Sequence, residues 1–192
     1  MLLCVPGSFH ELDGINRVNR SVVLNANGRS VTHQDKCSQF TFLSDQDDLL
    51  HEHIIARRVL TLLVTPIGLV GIAICKDHFD AGANGLLNAA WNRLAPDWLL
   101  VPSMGDSKTI EAHKRRAREN WNVRRTNTLV ANQELQTTSH PPNSAPGFIY
   151  RSNDPDPVTK CGSTFASLLP RSHGPDLKLV RQSSDMDLTE LN

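Results

Sequence analysis

Four cysteines are the residues of this chain best suited to covalent chemistry, and one of them stands where such chemistry would need it. Cys75 follows the apolar run Val70-Gly71-Ile72-Ala73-Ile74 and precedes the charged pair Lys76-Asp77. A thiol at the end of a buried strand sits on a rigid support. A sharp turn after it exposes the sulfur and aims backbone N–H groups at a reacting carbonyl. The thiolate is the reactive form, and nearby cations stabilise it. Taken alone, the position describes an inert core thiol more often than a nucleophile, because free cysteine is among the most buried residue types.

Other residues offer rival chemistries. His33 with Cys37, and Cys75 with His78, have spacings that zinc could use. A structural zinc site shows paired short-spaced ligands on both sides, so no metal or other cofactor is expected. Residues 108–125 hold seven basic side chains against Glu111 and Glu119. They alternate with Ile110, Ala117 and Trp121, which fits a solvated helix face better than a nucleic-acid surface. Asp77 could cap the turn after Cys75 with its side chain.

The elements that must position Cys75 are legible around it. Val59–Thr65 and Leu69–Ile74 read as buried strands joined by the turn Pro66-Ile67-Gly68. Upstream, Leu2–Val5 reads as the end of a strand, and Ser21–Ala26 and Arg29–His33 as a hairpin around Asn27-Gly28. Residues 35–53 read as a polar loop. Downstream, 84–94 and 109–121 read as helices, and Trp98–Pro102 and Thr128–Ala131 as strands, with Gly147–Tyr150 a further strand. Seven of the eleven prolines lie beyond Gln133, so 134–170 reads as a Pro-rich segment and 171–192 as a flexible tail.

Bulk properties exclude little. The 192 residues carry 20 basic and 20 acidic side chains, so net charge points to neither nucleic acid nor membrane. The cysteines form no dense framework and read as reduced thiols, which places the chain in the cytoplasm. No run approaches the roughly 20 apolar residues of a spanning helix.

The string from Thr65 to Asp77, TPIGLVGIAICKD, closely resembles the cysteine signature of the nitrilase superfamily, a hairpin of the form TP-x-G-x-x-G-x-x-IC-x-D. Further segments agree in order. Gly7-Ser8, Asn16–Asn19 and Asn27-Gly28 are similar to that family's lead-in, and His33-Gln34-Asp35-Lys36 to its lysine segment. Glu52-His53-Ile54 resembles the acidic region before the hairpin, and Leu99–Ser103 the strand that ends in the substrate pocket. The likeness covers about residues 5–133 and implies an α/β fold, the four-layer α-β-β-α sandwich, incomplete at its N-terminus. Residues 1–133 would be the central part of a carbon–nitrogen hydrolase domain and 134–170 its C-terminal part.

The same resemblance implies a thioester mechanism that hydrolyses an amide or nitrile. Cys75 would be the nucleophile, with Lys36 and the backbone N–H of Lys76 holding the oxyanion. Ser103 and Met104 would line the substrate site. The family's general-base glutamate lies upstream of the lead-in and has no counterpart here, leaving Glu52 as the candidate acid/base. A non-catalytic fragment or module of a larger protein is therefore the second expectation. The expected partners are a small amide or nitrile, and a second copy of the chain or a larger fusion.

Overall fold

The computed structural model describes residues 3–5, 7–43, 49–79, 85–105, 107–133 and 147–150. Their elements in chain order are β1 (Leu3–Cys4), β2 (Ser8–Asp13), β3 (Asn16–Asn25), β4 (Ser30–Asp35), β5 (Thr41–Leu43), β6 (Leu49–His51), β7 (Leu62–Thr65), β8 (Gly68–Ile72), α1 (Lys76–Phe79), α2 (Gly85–Leu94), β9 (Trp98–Met104), α3 (Ser107–Arg124), β10 (Asn127–Gln133) and β11 (Gly147–Tyr150). The expected segment 134–170 lies outside the described residues except for β11, and the expected tail lies wholly outside them.

Two sheets carry the fold. In the first, the long β3 pairs antiparallel with β1 and β2 along one edge and with β4 along the other. The second has the order β11-β10-β9-β8-β7, with β8, β9 and β10 parallel and antiparallel strands at both edges. Strand alternation gives the second sheet two apolar faces. On one, Ile72 and Ile74 pack with Val23 of β3 and with Val5, Leu63 and Leu100, joining the two sheets face to face. On the other, Ala73, Leu99, Val101, Val130, Phe148 and Tyr150 receive Trp91 of α2 and Ile110 and Ala117 of α3. The described residues thus build three layers: sheet, sheet and helices.

Two glycines allow the close approaches in this arrangement. Gly68 turns the β7–β8 hairpin at φ +110°, with Asp97 against it accepting the Leu69 N–H at 2.7 Å. At Gly71 a Cβ would stand 2.8 Å from the Trp91 ring, so its absence lets α2 lie on β8.

The structure departs from the sequence reading in several places. The strand expected to be buried at 59–65 is an edge strand, with Val64 88% and Val59 67% exposed. Ser8–Asp13 is a strand, paired with β3 through a tight turn at Gly14-Ile15. Gly14, at φ +65°, takes the first turn position, a recognised hairpin signal, but polar residues on both sides hide the strands. The expected loop 35–53 contains the short ladder β5–β6. Three-residue strands are too short to show a period of two. Residues 59–61 stay outside β7 because Gln34 occupies their backbone. Its amide donates to the Val59 carbonyl at 2.7 Å and accepts the Thr61 N–H at 2.7 Å. Among the described residues, no helix is long and apolar enough to cross a membrane.

Candidate active site

Cys75 sits just past β8, where ladder bonding continues beyond the strand proper. Ala73 N–H donates to Leu100 O at 2.9 Å and Cys75 N–H to Pro102 O at 2.8 Å. The chain then turns abruptly into α1. Cys75 adopts φ +49°, a left-handed conformation that a non-glycine residue adopts only when its surroundings enforce it. The enforcing contacts are the Pro102 bond below and the His78 N–H to Cys75 O bond above, at 3.0 Å. The side chain is partly exposed and the thiol is free.

Asp77 closes the 39-residue gap between Lys36 and Cys75. Its carboxylate accepts the Cys37 N–H at 2.8 Å and the Ser38 hydroxyl at 2.6 Å. Lys76 adds a bond from its ammonium to Gln39 O at 3.2 Å. Segment 36–39 is thereby fastened to the elbow residues 76–77. Burial pushes the Asp77 carboxyl up to about 6, against the opposing pull of Ser38, the Cys37 N–H and the Lys36 charge.

Lys36 is 3% exposed and its ammonium is ion-paired with Glu52. A buried ammonium needs such a partner, since its desolvation otherwise costs several kcal/mol. Glu52 is held from four sides. It also accepts from Asn19 Nδ2 and His10 Nε2, each at 2.9 Å, and from the Phe40 N–H at 3.0 Å. Burial raises its pKa, but the bonds from Asn19, Lys36 and His10 outweigh that and lower it to about 2. Glu52 is therefore an anion at neutral pH.

Ser103 and Met104 end β9, beside the Pro102 carbonyl that holds Cys75. Met104 is half exposed. Ser103 is buried, and its hydroxyl is bonded to His113 Nε2 at 3.0 Å on the helix side of the sheet. The sequence reading gave no role to Asn19, His10 or His113. Each meets its partner only through tertiary contacts, across 33, 42 and 10 residues respectively. Among the described residues, no group of three or more His, Cys, Asp or Glu side chains could hold a metal ion.

Two facing sheets and a helical layer make an α/β fold, the fold seen in solved nitrilase-superfamily structures. Solved structures carry this assignment. The chain matches Nit3 of Saccharomyces cerevisiae, described as a member of branch 10 of the nitrilase superfamily, with a TM-score of 0.58 and 19% identity over 78% of this chain and 52% of that one. It matches the Caenorhabditis elegans NitFhit protein with a TM-score of 0.56 and 20% identity over 78% of this chain and 37% of that one. A mutant of the Nesterenkonia AN1 amidase, also described as from the nitrilase superfamily, matches with a TM-score of 0.51 and 13% identity over 75% and 52%. The chain thus spans about half the length of these structures, or less. Neither a family sequence model nor a curated protein sequence matches it.

Proposed function

We propose that this chain carries the nucleophile side of a nitrilase-type carbon–nitrogen hydrolase acting on a small amide or nitrile. One observation supports it most: Cys75 stands at φ +49° just past β8, with the Lys36 segment bonded to Asp77 two residues on. The Cys75 sulfur would attack the substrate carbon. For an amide, the oxyanion so formed would rest on the Lys36 ammonium and the Lys76 N–H, where fixed donors act without reorganising. Collapse would expel ammonia or an amine, protonated as it leaves, and form a thioester. Water would then release the acid and restore the thiol.

Glu52 fits a supporting role better than the proton-transferring role its position suggested. A base held down to about 2 has little affinity for a thiol proton at neutral pH, whereas its charge keeps Lys36 cationic and in place. Met104 would border the substrate from the end of β9, whereas Ser103, buried and bonded to His113, suits a supporting place behind it. The free thiols of Cys37 and Cys75 suit a reducing compartment such as the cytoplasm, and a homodimer or larger fusion belongs to the same proposal.

A second reading is favoured by the fate of the other glutamates. Among the described residues, Glu11 is bound to Arg20, while Glu111 and Glu119 pair with basic neighbours on α3. None of these stands ready beside Cys75 as a base, which suits a non-catalytic module. Ammonia release from short aliphatic amides and nitriles distinguishes the two, with Cys75→Ala as control. Turnover that Cys75→Ala abolishes supports the hydrolase. Equal background in both favours the non-catalytic module.

A further inference from the structure

A second set of buried polar groups lies on the opposite side of the elbow from Lys36, and the proposed chemistry does not use it. His78 of α1 and His113 of α3 meet edge to edge and nearly coplanar, with ring centroids 5.1 Å apart at 19° and their Nδ1 atoms 2.8 Å apart. Asn120 Nδ2 lies 3.1 Å from His78 Nε2, and Ser103 Oγ lies 3.0 Å from His113 Nε2. His78, His113 and Asn120 are at most 3% exposed, and Ser103 is 7% exposed.

The direction of every hydrogen in this chain can be derived. Arg124 Nη1 donates to Asn120 Oδ1 at 3.3 Å, which fixes the Asn120 amide with its NH2 toward His78. His78 Nε2 must then accept, so the proton of the neutral ring sits on Nδ1. That proton is donated to His113 Nδ1, so the proton of His113 sits on Nε2 and is donated to Ser103. A doubly protonated ring would set two N–H groups against each other. It would also add charge near the Arg116 and Arg124 guanidiniums of α3, of which only Arg116 has a carboxylate partner among the described residues, Glu119. The derived direction also excludes a Ser103–His113–His78 nucleophile relay, because His113 presents Ser103 with a hydrogen and not a lone pair.

We propose that His78 and His113 form a strut with fixed tautomers that positions the Cys75 elbow by tying α1 to α3 and to the end of β9. Three attachments meet there. His78 N–H holds the Cys75 carbonyl, the His78 ring holds α3, and His113 holds Ser103, whose neighbour Pro102 accepts the Cys75 N–H. Removing the strut frees one wall of the elbow and leaves the Asp77–Ser38 attachment on the other. His78 and His113 are positioning residues, since neither contacts the Cys75 sulfur in this arrangement of bonds.

The inference rests on the proposed function only in treating Cys75 as the reactive thiol, and its test does not need turnover. Long-range proton–nitrogen NMR on the full chain reads the rings directly. The expected result is Nδ1–H for His78, the less common neutral tautomer, and Nε2–H for His113. Either ring in the opposite tautomer, or charged at pH 7, overturns the strut. Amide hydrogen exchange then tests positioning. His78→Asn keeps an N–H near the place of Nδ1, whereas His78→Gln places its amide near Nε2. Protection of the Cys75 and His78 amides should fall at least tenfold in His78→Gln and stay within threefold of the parent in His78→Asn. The Thr128 and Val130 amides of β10 should be unchanged in both. Equal loss in the two variants, or loss shared by β10, overturns the proposal. Iodoacetamide labelling of the unsubstituted chain separates the two claims: an inert Cys75 sinks the hydrolase reading and leaves the exchange result standing.

Discussion

The two sides of the Cys75 elbow solve one problem in opposite ways. On the Lys36 side, buried titratable groups stay charged. The ammonium has the Glu52 carboxylate, and that carboxylate has three further donors in Asn19, His10 and the Phe40 N–H. On the His78 side, buried titratable groups stay neutral. Burial holds His78 well below its usual range and His113 down to about 3, and directed hydrogen bonds satisfy the neutral rings. A low-dielectric interior tolerates either a fully paired charge or a fully bonded neutral group. The side that keeps its charge is the one suited to meeting an oxyanion; the neutral side suits a support.

The sharpest way to break the comparison is to unpair the charged side. Glu52→Leu leaves the Lys36 ammonium buried without its carboxylate and should cost about 3–5 kcal/mol. The double variant Lys36→Met, Glu52→Leu should recover most of that loss, because a buried pair replaced by apolar groups is often close to neutral. Urea unfolding midpoints measure both. A single variant no less stable than the double would show that the Lys36 charge is not buried in solution.

Acid should separate the two sides in order. The histidine pKa values are lower in the fold than unfolded, so the unfolded chain binds more protons below about 6.5 and stability falls as pH drops through that window. Asp77 works the other way: its folded value, about 6, lies above the ordinary carboxylate value, so it gains relative stability between about 6 and 4. Two histidines outweigh one aspartate, leaving a net loss on the order of 1 kcal/mol per pH unit between 6 and 4.5. Glu52, held to about 2, adds its own loss only below its ordinary value, as pH falls from about 4.5 toward 2. The neutral side therefore yields first. Urea titrations at pH 7, 5.5 and 4.5 read the slope, and replacing both histidines with leucine should flatten or reverse it. Stability that holds steady from pH 7 to 4.5 would contradict the buried neutral pair.

The smallest effect concerns independence. Asn19→Ala removes a donor to Glu52, and Ser103→Ala removes the acceptor of His113. These positions share no hydrogen-bond partner, so their costs should add within about 0.5 kcal/mol. A coupling above about 1 kcal/mol would mean that the elbow transmits strain from one side to the other.

The amino-acid string by itself determined the local parts. The TPIGLVGIAICKD run fixes a hairpin whose second strand is buried and ends in a cysteine, since apolar runs of strand length around a Pro-x-Gly turn have few other solutions; that β7 is a partly exposed edge strand was not legible. The stripe Ile110, Ala117, Trp121 correctly turned α3 toward the sheet. Glu52 was visible only as a carboxylate too far along the chain from Lys36, and no local signal joins residues 16 apart across the β5–β6 ladder. His78 was legible only as half of a zinc-like spacing with Cys75, and His113 only as one residue of a strongly charged helix. Their partnership spans 35 residues and depends on α3 lying across the end of β9. Sequence periodicity reports which face of an element is buried, because that follows from backbone geometry alone. Which buried group remains charged and which remains neutral depends on donors supplied by distant strands and helices, and only the tertiary structure decides it.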